Sequence, residues 1–118
     1  MKLAIQSVKE HGNLKSERII LKAIDDVNVG NYMLADTTYI NDNEVSNKVR
    51  HTFWIPDKSV EKNSLVVIYT KDGTDSIKQN KSGNKTYFFY WGLERTVWNQ
   101  DEDSAVLFLI DNWEAKKV

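Results

Sequence analysis

The 118-residue sequence predicts an all-β domain. Three observations carry that expectation. Strand-length runs of β-branched and aromatic residues recur along the whole chain. Clusters of Asn, Asp, Gly, Lys and Ser separate them, and apolar residues at helical spacing are hard to find. This is the pattern of a sandwich or barrel.

The first run spans 3–8, with Leu3 and Ile5 alternating against Ala4 and Gln6, and His11-Gly12-Asn13 turns the chain. In the second run, 17–24, the period of two points Ile19, Leu21 and Ala23 inward and Arg18, Ile20 and Lys22 outward. Asp25-Asp26 and Val29-Gly30-Asn31 end it, and a third run at 32–35 continues weakly to Ile40. Residues 41–47 read as a polar loop. The fourth run, 49–55, stops at Pro56, which cannot donate to a ladder. Leu65-Val66-Val67-Ile68-Tyr69 is apolar on both faces, as a central strand would be. Turns at 71–75 and 80–85 flank the next stretch, and Thr86-Tyr87-Phe88-Phe89-Tyr90-Trp91 forms another strand. Residues 105–110 and 113–118 read as a closing hairpin around Asp111-Asn112. The core expected from alternation is Ile19, Leu21, Leu65, Val67, Leu107 and Leu109.

Length and composition suit one folded domain over 1–118, with 41% hydrophobic and 28% charged residues. No internal repeat or linker divides it. Sixteen basic residues against seventeen acidic ones leave no field of one sign to draw in nucleic acid or an anionic membrane, so neither is expected as a partner. Cysteine is absent, which removes disulfides, thiolate zinc sites and a cysteine nucleophile. No apolar stretch approaches the roughly 20 residues of a membrane-spanning helix. The cytoplasm is the expected compartment, although a secreted chain that had lost its signal would read the same.

Three stretches in order resemble the lamin-tail domain. Glu17-Arg18-Ile19-Ile20-Leu21-Lys22-Ala23, followed by Tyr32-Met33-Leu34-Ala35-Asp36, is similar to that family's E-x-ϕ-x-L-x-N strand and its later W/Y-x-L-x-D segment. Phe53-Trp54-Ile55-Pro56, with 64–70 after it, resembles the F-x-F-P motif and the V-x-V-x-T strand. Val97-Trp98-Asn99, with Asp103, Ala105 and Leu107, resembles W-N-N-x-G-D-x-A-x-L. Ala23 stands where the family has Asn, Asn63 where Gly is usual, and Glu102 in place of a Gly. The resemblance implies an immunoglobulin-like β-sandwich of two antiparallel sheets, with about eight strands. It also implies a module for interaction or attachment, found in lamins and in bacterial proteins, with no catalytic residues to carry over. Physically, Trp98 would cap one end of the sandwich, Asn99 would tolerate a tight turn, and Asp103 would accept backbone N–H bonds across it.

Chemistry-bearing clusters are few. Asp25-Asp26 and Asp101-Glu102-Asp103 lack calcium-loop spacing and read as solvated turn carboxylates. His11 and His51 belong to no recognisable triad, and no Gly-x-Ser-x-Gly elbow is present. Lys71, Lys78, Lys81 and Lys85 read as a solvated loop cluster. No cofactor, metal or enzymatic activity is expected. The aromatic strand is the informative feature: Tyr87, Phe89 and Trp91 share one face, and Phe88 and Tyr90 the other. One face must be core and the other covered in the working state. A homodimer is the simplest cover, because identical patches are self-complementary about a two-fold axis; another protein partner would also cover it, and a carbohydrate is the alternative. Tyr90 and Trp91, one from each face, are the candidate interaction residues.

Overall fold

In a computed structural model, which describes residues 1–99 and 102–118, the predicted runs become a β-sandwich. The described residues form eleven strands: β1 (Leu3–Lys9), β2 (Arg18–Ala23), β3 (Val27–Asn28), β4 (Tyr32–Asn41), β5 (Glu44–Val45), β6 (Thr52–Trp54), β7 (Ser59–Val60), β8 (Leu65–Tyr69), β9 (Ser76–Gln79), β10 (Lys85–Tyr90) and β11 (Asp103–Leu109). The larger sheet has the order β1-β2-β8-β10-β9. In the smaller one β4 pairs with β11 on one edge and with β5 and β6 on the other, while β3 and β7 form a separate ribbon. The strand count exceeds the expected eight because β3, β5, β7 and β9 are short or wholly exposed and carry no alternation to read.

The sheets are not purely antiparallel. β10 pairs with β8 in parallel, Thr86 beside Leu65 through Tyr90 beside Tyr69, and with β9 antiparallel. The chain leaves β8, forms β9 one strand away, and returns as β10 in the gap. Strands flanked on both edges and apolar on both faces, as β8 and β10 are, fit this central placement.

Ile19, Leu21, Ala23, Leu34, Val66, Ile68, Tyr87, Phe89, Val97 and Trp98 belong to one buried cluster drawing on both large sheets. Ile19 and Leu21 face inward as expected. On β8 the phase is reversed: Val66 and Ile68 enter the cluster, whereas Leu65 and Val67 lie on the outer face. A run apolar on every position cannot reveal its own phase. Leu107 packs against the cluster only in part, and Leu109 is 51% exposed at the end of β11. A register shift between Ile5 and Ser7 changes the phase of β1, so Leu3 and Val8 reach the core and Ile5 does not. The closing hairpin is absent. Residues 110–118 form no strand, and Ile110 N–H bonds to Asn31 O at 2.7 Å.

Candidate functional site

Cross-strand register places three rows on the outer face of the large sheet. The central row is Ser7, Ile20, Val67, Phe88 and Ser76. Lys9, Arg18, Tyr69 and Tyr90 lie on one side of it, and Ala4, Lys22, Leu65, Thr86 and Lys78 on the other. No acidic residue occupies any of these positions. At its strand positions this face therefore carries an apolar centre, with Val67 buried and Ile20 and Phe88 half-buried, and cations toward its margins, while Asp57 and Asp75 lie beside Ser76 and Phe88 at one edge.

The aromatic rings on this face stand side by side. Tyr69 and Tyr90 stack at 5.4 Å with planes 12° apart, and Phe88 lies 6.5 Å from Tyr69 at 29°. The Arg18 guanidinium carbon lies 5.8 Å from the Tyr69 ring centre, and Lys71 Nζ lies 5.1 Å from it. Tyr90 is held against Gly73, where an added Cβ would meet its ring at 2.4 Å. The flat faces of Tyr69 and Tyr90 are thus engaged within the chain. Neither ring lies open for a base or a sugar to stack on, so this is a surface for side-chain packing rather than a stacking platform.

Of the two candidate residues, Tyr90 lies on this outer face. Trp91 lies on the opposite side, packed 5.7 Å from Phe53 and 5.8 Å from Trp98 against the core. The structure does not bring them together. The four loop lysines also separate: Lys71 covers Tyr69, Lys78 faces outward on β9, Lys85 pairs with Glu61 at 3.3 Å, and Lys81 is exposed.

Two clusters of titratable groups are structural clamps. Fully buried Glu17 accepts from Gly12 N–H (3.0 Å) and Trp98 N–H (3.1 Å) on Oε1, and from Val97 N–H (2.8 Å) and the Thr70 hydroxyl (2.6 Å) on Oε2. It ties three segments to the end of the sandwich. Buried Asp36 accepts His51 N–H at 2.7 Å, has His51 Nδ1 at 3.0 Å, and pairs with Arg50 Nε at 2.9 Å. Arg50 also reaches Asp103 at 3.3 Å, and Asp103 accepts Asn99 N–H at 3.0 Å, as the sequence suggested. Asp36 fixes one side of the imidazole, and among the described residues His51 has no other side-chain partner. The group pins the segment before β6 along β4.

Asp25 caps Asp26 N–H and Asp26 caps Lys62 N–H, as turn carboxylates do. Asp101 lies outside the described residues. Among the described residues no three His, Cys, Asp or Glu side chains gather as a metal ion would need, and no helix is long and apolar enough to cross a membrane. Tyr87, buried beside Glu61, donates to its Oε2 at 2.6 Å. Burial first and the carboxylate second push the phenol up to about 12, while the Tyr87 hydrogen bond pulls Glu61 below the usual carboxylate range.

Sequence reading passed over Trp54 and Trp113, which are 46% and 63% exposed and meet edge to face at 5.2 Å. The signal was available: Trp54 alternates with inward Phe53 and Ile55, so its ring had to face out. No protein-family model matches the chain, and neither does any curated protein.

Proposed function

We propose that this protein is a non-enzymatic interaction module of the lamin-tail kind, and that the outer face of its large sheet docks a protein partner. The observation carrying this is the apolar row of Ile20, Val67 and Phe88 bordered by Lys9, Arg18, Lys22 and Lys78 with no acidic residue among them. An apolar stripe whose strand positions carry cations alone complements a partner surface that is apolar in the middle and acidic opposite those strands. Two copies of the face would bring like charges together, which argues for a different protein over a homodimer through this surface. Tyr90 contributes at its edge.

The lamin-tail reading is supported by where the motif residues sit. Glu17 bonds to the backbone of Val97 and Trp98, joining the first and third motifs. Asn63, standing where the family has Gly, has φ of 72°, a conformation that suits Gly or Asn. A binding role over an enzymatic one is supported by the two buried carboxylates, which are both engaged in holding segments together.

The test compares wild type with Phe88→Asp, which puts an anion in the apolar row. Wild type should capture a partner from extracts of its own cells at about 50 mM salt and lose it near 0.5 M, where screening is nearly complete. Phe88→Asp should capture none, and sedimentation should show a monomer for both. Equal capture by the two proteins, or a wild-type dimer that Phe88→Asp dissociates, would refute this reading.

A further inference from the structure

We infer that the corner formed by Gly30, Trp54, Asp57 and Trp113 binds a neutral saccharide. Asp57 also borders a second cleft beside Ser76 and Phe88 at the edge of the large sheet, but the corner's two indoles do not, and the inference does not depend on the reading above. A cleft of about 460 Å³ is lined there by Gly30, Asn31, Trp54, Pro56, Asp57 and Trp113. Its walls are held in place before any ligand arrives. The Trp54 indole N–H donates to Gly30 O at 2.8 Å. Asp57 Oδ1 accepts from Asn28 Nδ2 at 3.3 Å and rests on Gly30, where a Cβ would come within 2.0 Å of it. Asn28 in turn accepts Gly30 N–H at 2.8 Å and Lys58 N–H at 3.1 Å. One glycine therefore positions both an indole and a carboxylate.

The chemistry of the lining selects the ligand. The two indoles meet at 89°, so their mutual contact covers one face of one ring at most and leaves aromatic surface facing the cleft. Among the described residues Asp57 Oδ2 and the Asn31 side-chain amide make no hydrogen bond. An aliphatic or aromatic group filling the cleft would strip water from both and give nothing back. A pyranose ring offers an apolar C–H face to an indole and hydroxyls to a carboxylate and an amide at once. No cation lines the cleft, and Asp57 repels anions, so phosphates and uronic acids are disfavoured.

The experiment titrates the full chain with cellohexaose, xylohexaose, mannohexaose and chitohexaose, and with a galacturonate oligomer as the acidic arm, reading indole fluorescence and calorimetry. At least one neutral oligosaccharide should bind with a Kd below about 1 mM. Trp113→Ala and the conservative Asp57→Asn should each weaken binding by about tenfold or more, the scale of one good contact of about 1.4 kcal/mol. Trp113 is largely exposed, so its removal should leave the melting temperature unchanged, and Tyr90→Ala should bind as wild type does. The inference is overturned if no neutral probe binds at about 5 mM, well above that expected range. Equal binding of the galacturonate, full binding by Trp113→Ala and Asp57→Asn, or a loss in Tyr90→Ala as large as in Trp113→Ala would each overturn it too.

Discussion

Replacing Glu17 tests whether the buried carboxylate holds the sandwich end together. Its two oxygens take three backbone N–H groups and one hydroxyl, and it has no contact with water. Gln has nearly the same shape. Its better orientation keeps the amide oxygen at the Oε1 position, accepting from Gly12 and Trp98. The NH2 group then meets Thr70, whose hydroxyl can turn to accept, and Val97 N–H, which cannot. One donor faces another donor and the charge assistance is lost, for about 2–3 kcal/mol. Ala removes every acceptor and leaves buried N–H groups and a cavity, for about 4 kcal/mol or more. Urea unfolding followed by tryptophan fluorescence should rank wild type above Glu17→Gln and Glu17→Gln above Glu17→Ala, with unchanged slopes. If Glu17→Gln unfolds within about 0.5 kcal/mol of wild type, the size of an ordinary surface substitution, the clamp is not what the geometry implies.

Three further substitutions test the core and its edge. The Tyr87 phenol, pushed up to about 12 in the folded chain from an ordinary 10.0, favours folding in full below pH 10 and loses that contribution as pH rises toward 12. Wild-type stability should fall by about 2–3 kcal/mol more than that of Tyr87→Phe between those pH values, and parallel curves in alkaline urea melts would rule this out. Leu34→Ala should destabilise by about 2–5 kcal/mol because Leu34 is fully buried, whereas Leu109→Ala should lose less than about 1 kcal/mol at its exposed strand end; equal midpoint shifts would contradict the assigned burial.

How much of this was legible in the sequence depended on whether a strand had one polar face. Where it did, as in β2 with Arg18, Ile20 and Lys22 against Ile19, Leu21 and Ala23, both position and facing could be read. Where both faces were apolar, as in β8, the strand was evident but its facing was not. Short exposed strands such as β9 left no hydrophobic trace. The parallel pairing of β8 and β10 is a long-range fact that no local pattern encodes, although apolar residues on both faces of each strand are consistent with it. The cationic face needed all five strands of the large sheet aligned in register before Lys9, Arg18, Lys22 and Lys78 fell on one face, because overall charge is balanced. Ring alternation splits β10 into two faces but does not say which one is outside, and the register puts Tyr90 on the outer one. Trp113 is hidden from a sequence reading because 113–118 reads as a hairpin strand, whereas residues 110–118 form none.

Because β10 lies between β8 and β9, the chain cannot assemble the large sheet in the order it is synthesised. The β9–β10 hairpin can close locally across residues 80–84, but it must then dock as a unit with β10 leading against β8. Glu17 meets Thr70 as an extension of the β2–β8 pairing, but its clamp is complete only when Val97 and Trp98, 80 and 81 residues away, arrive. Closing loops of that length before any contact rewards them places folding in the slower range of small domains, roughly milliseconds to seconds. A contact that forms after the barrier acts on escape rather than entry. The Val97 and Trp98 bonds close the longest loops of the clamp, so Glu17→Gln is expected to speed unfolding more than it slows folding, as a latch on the folded state would.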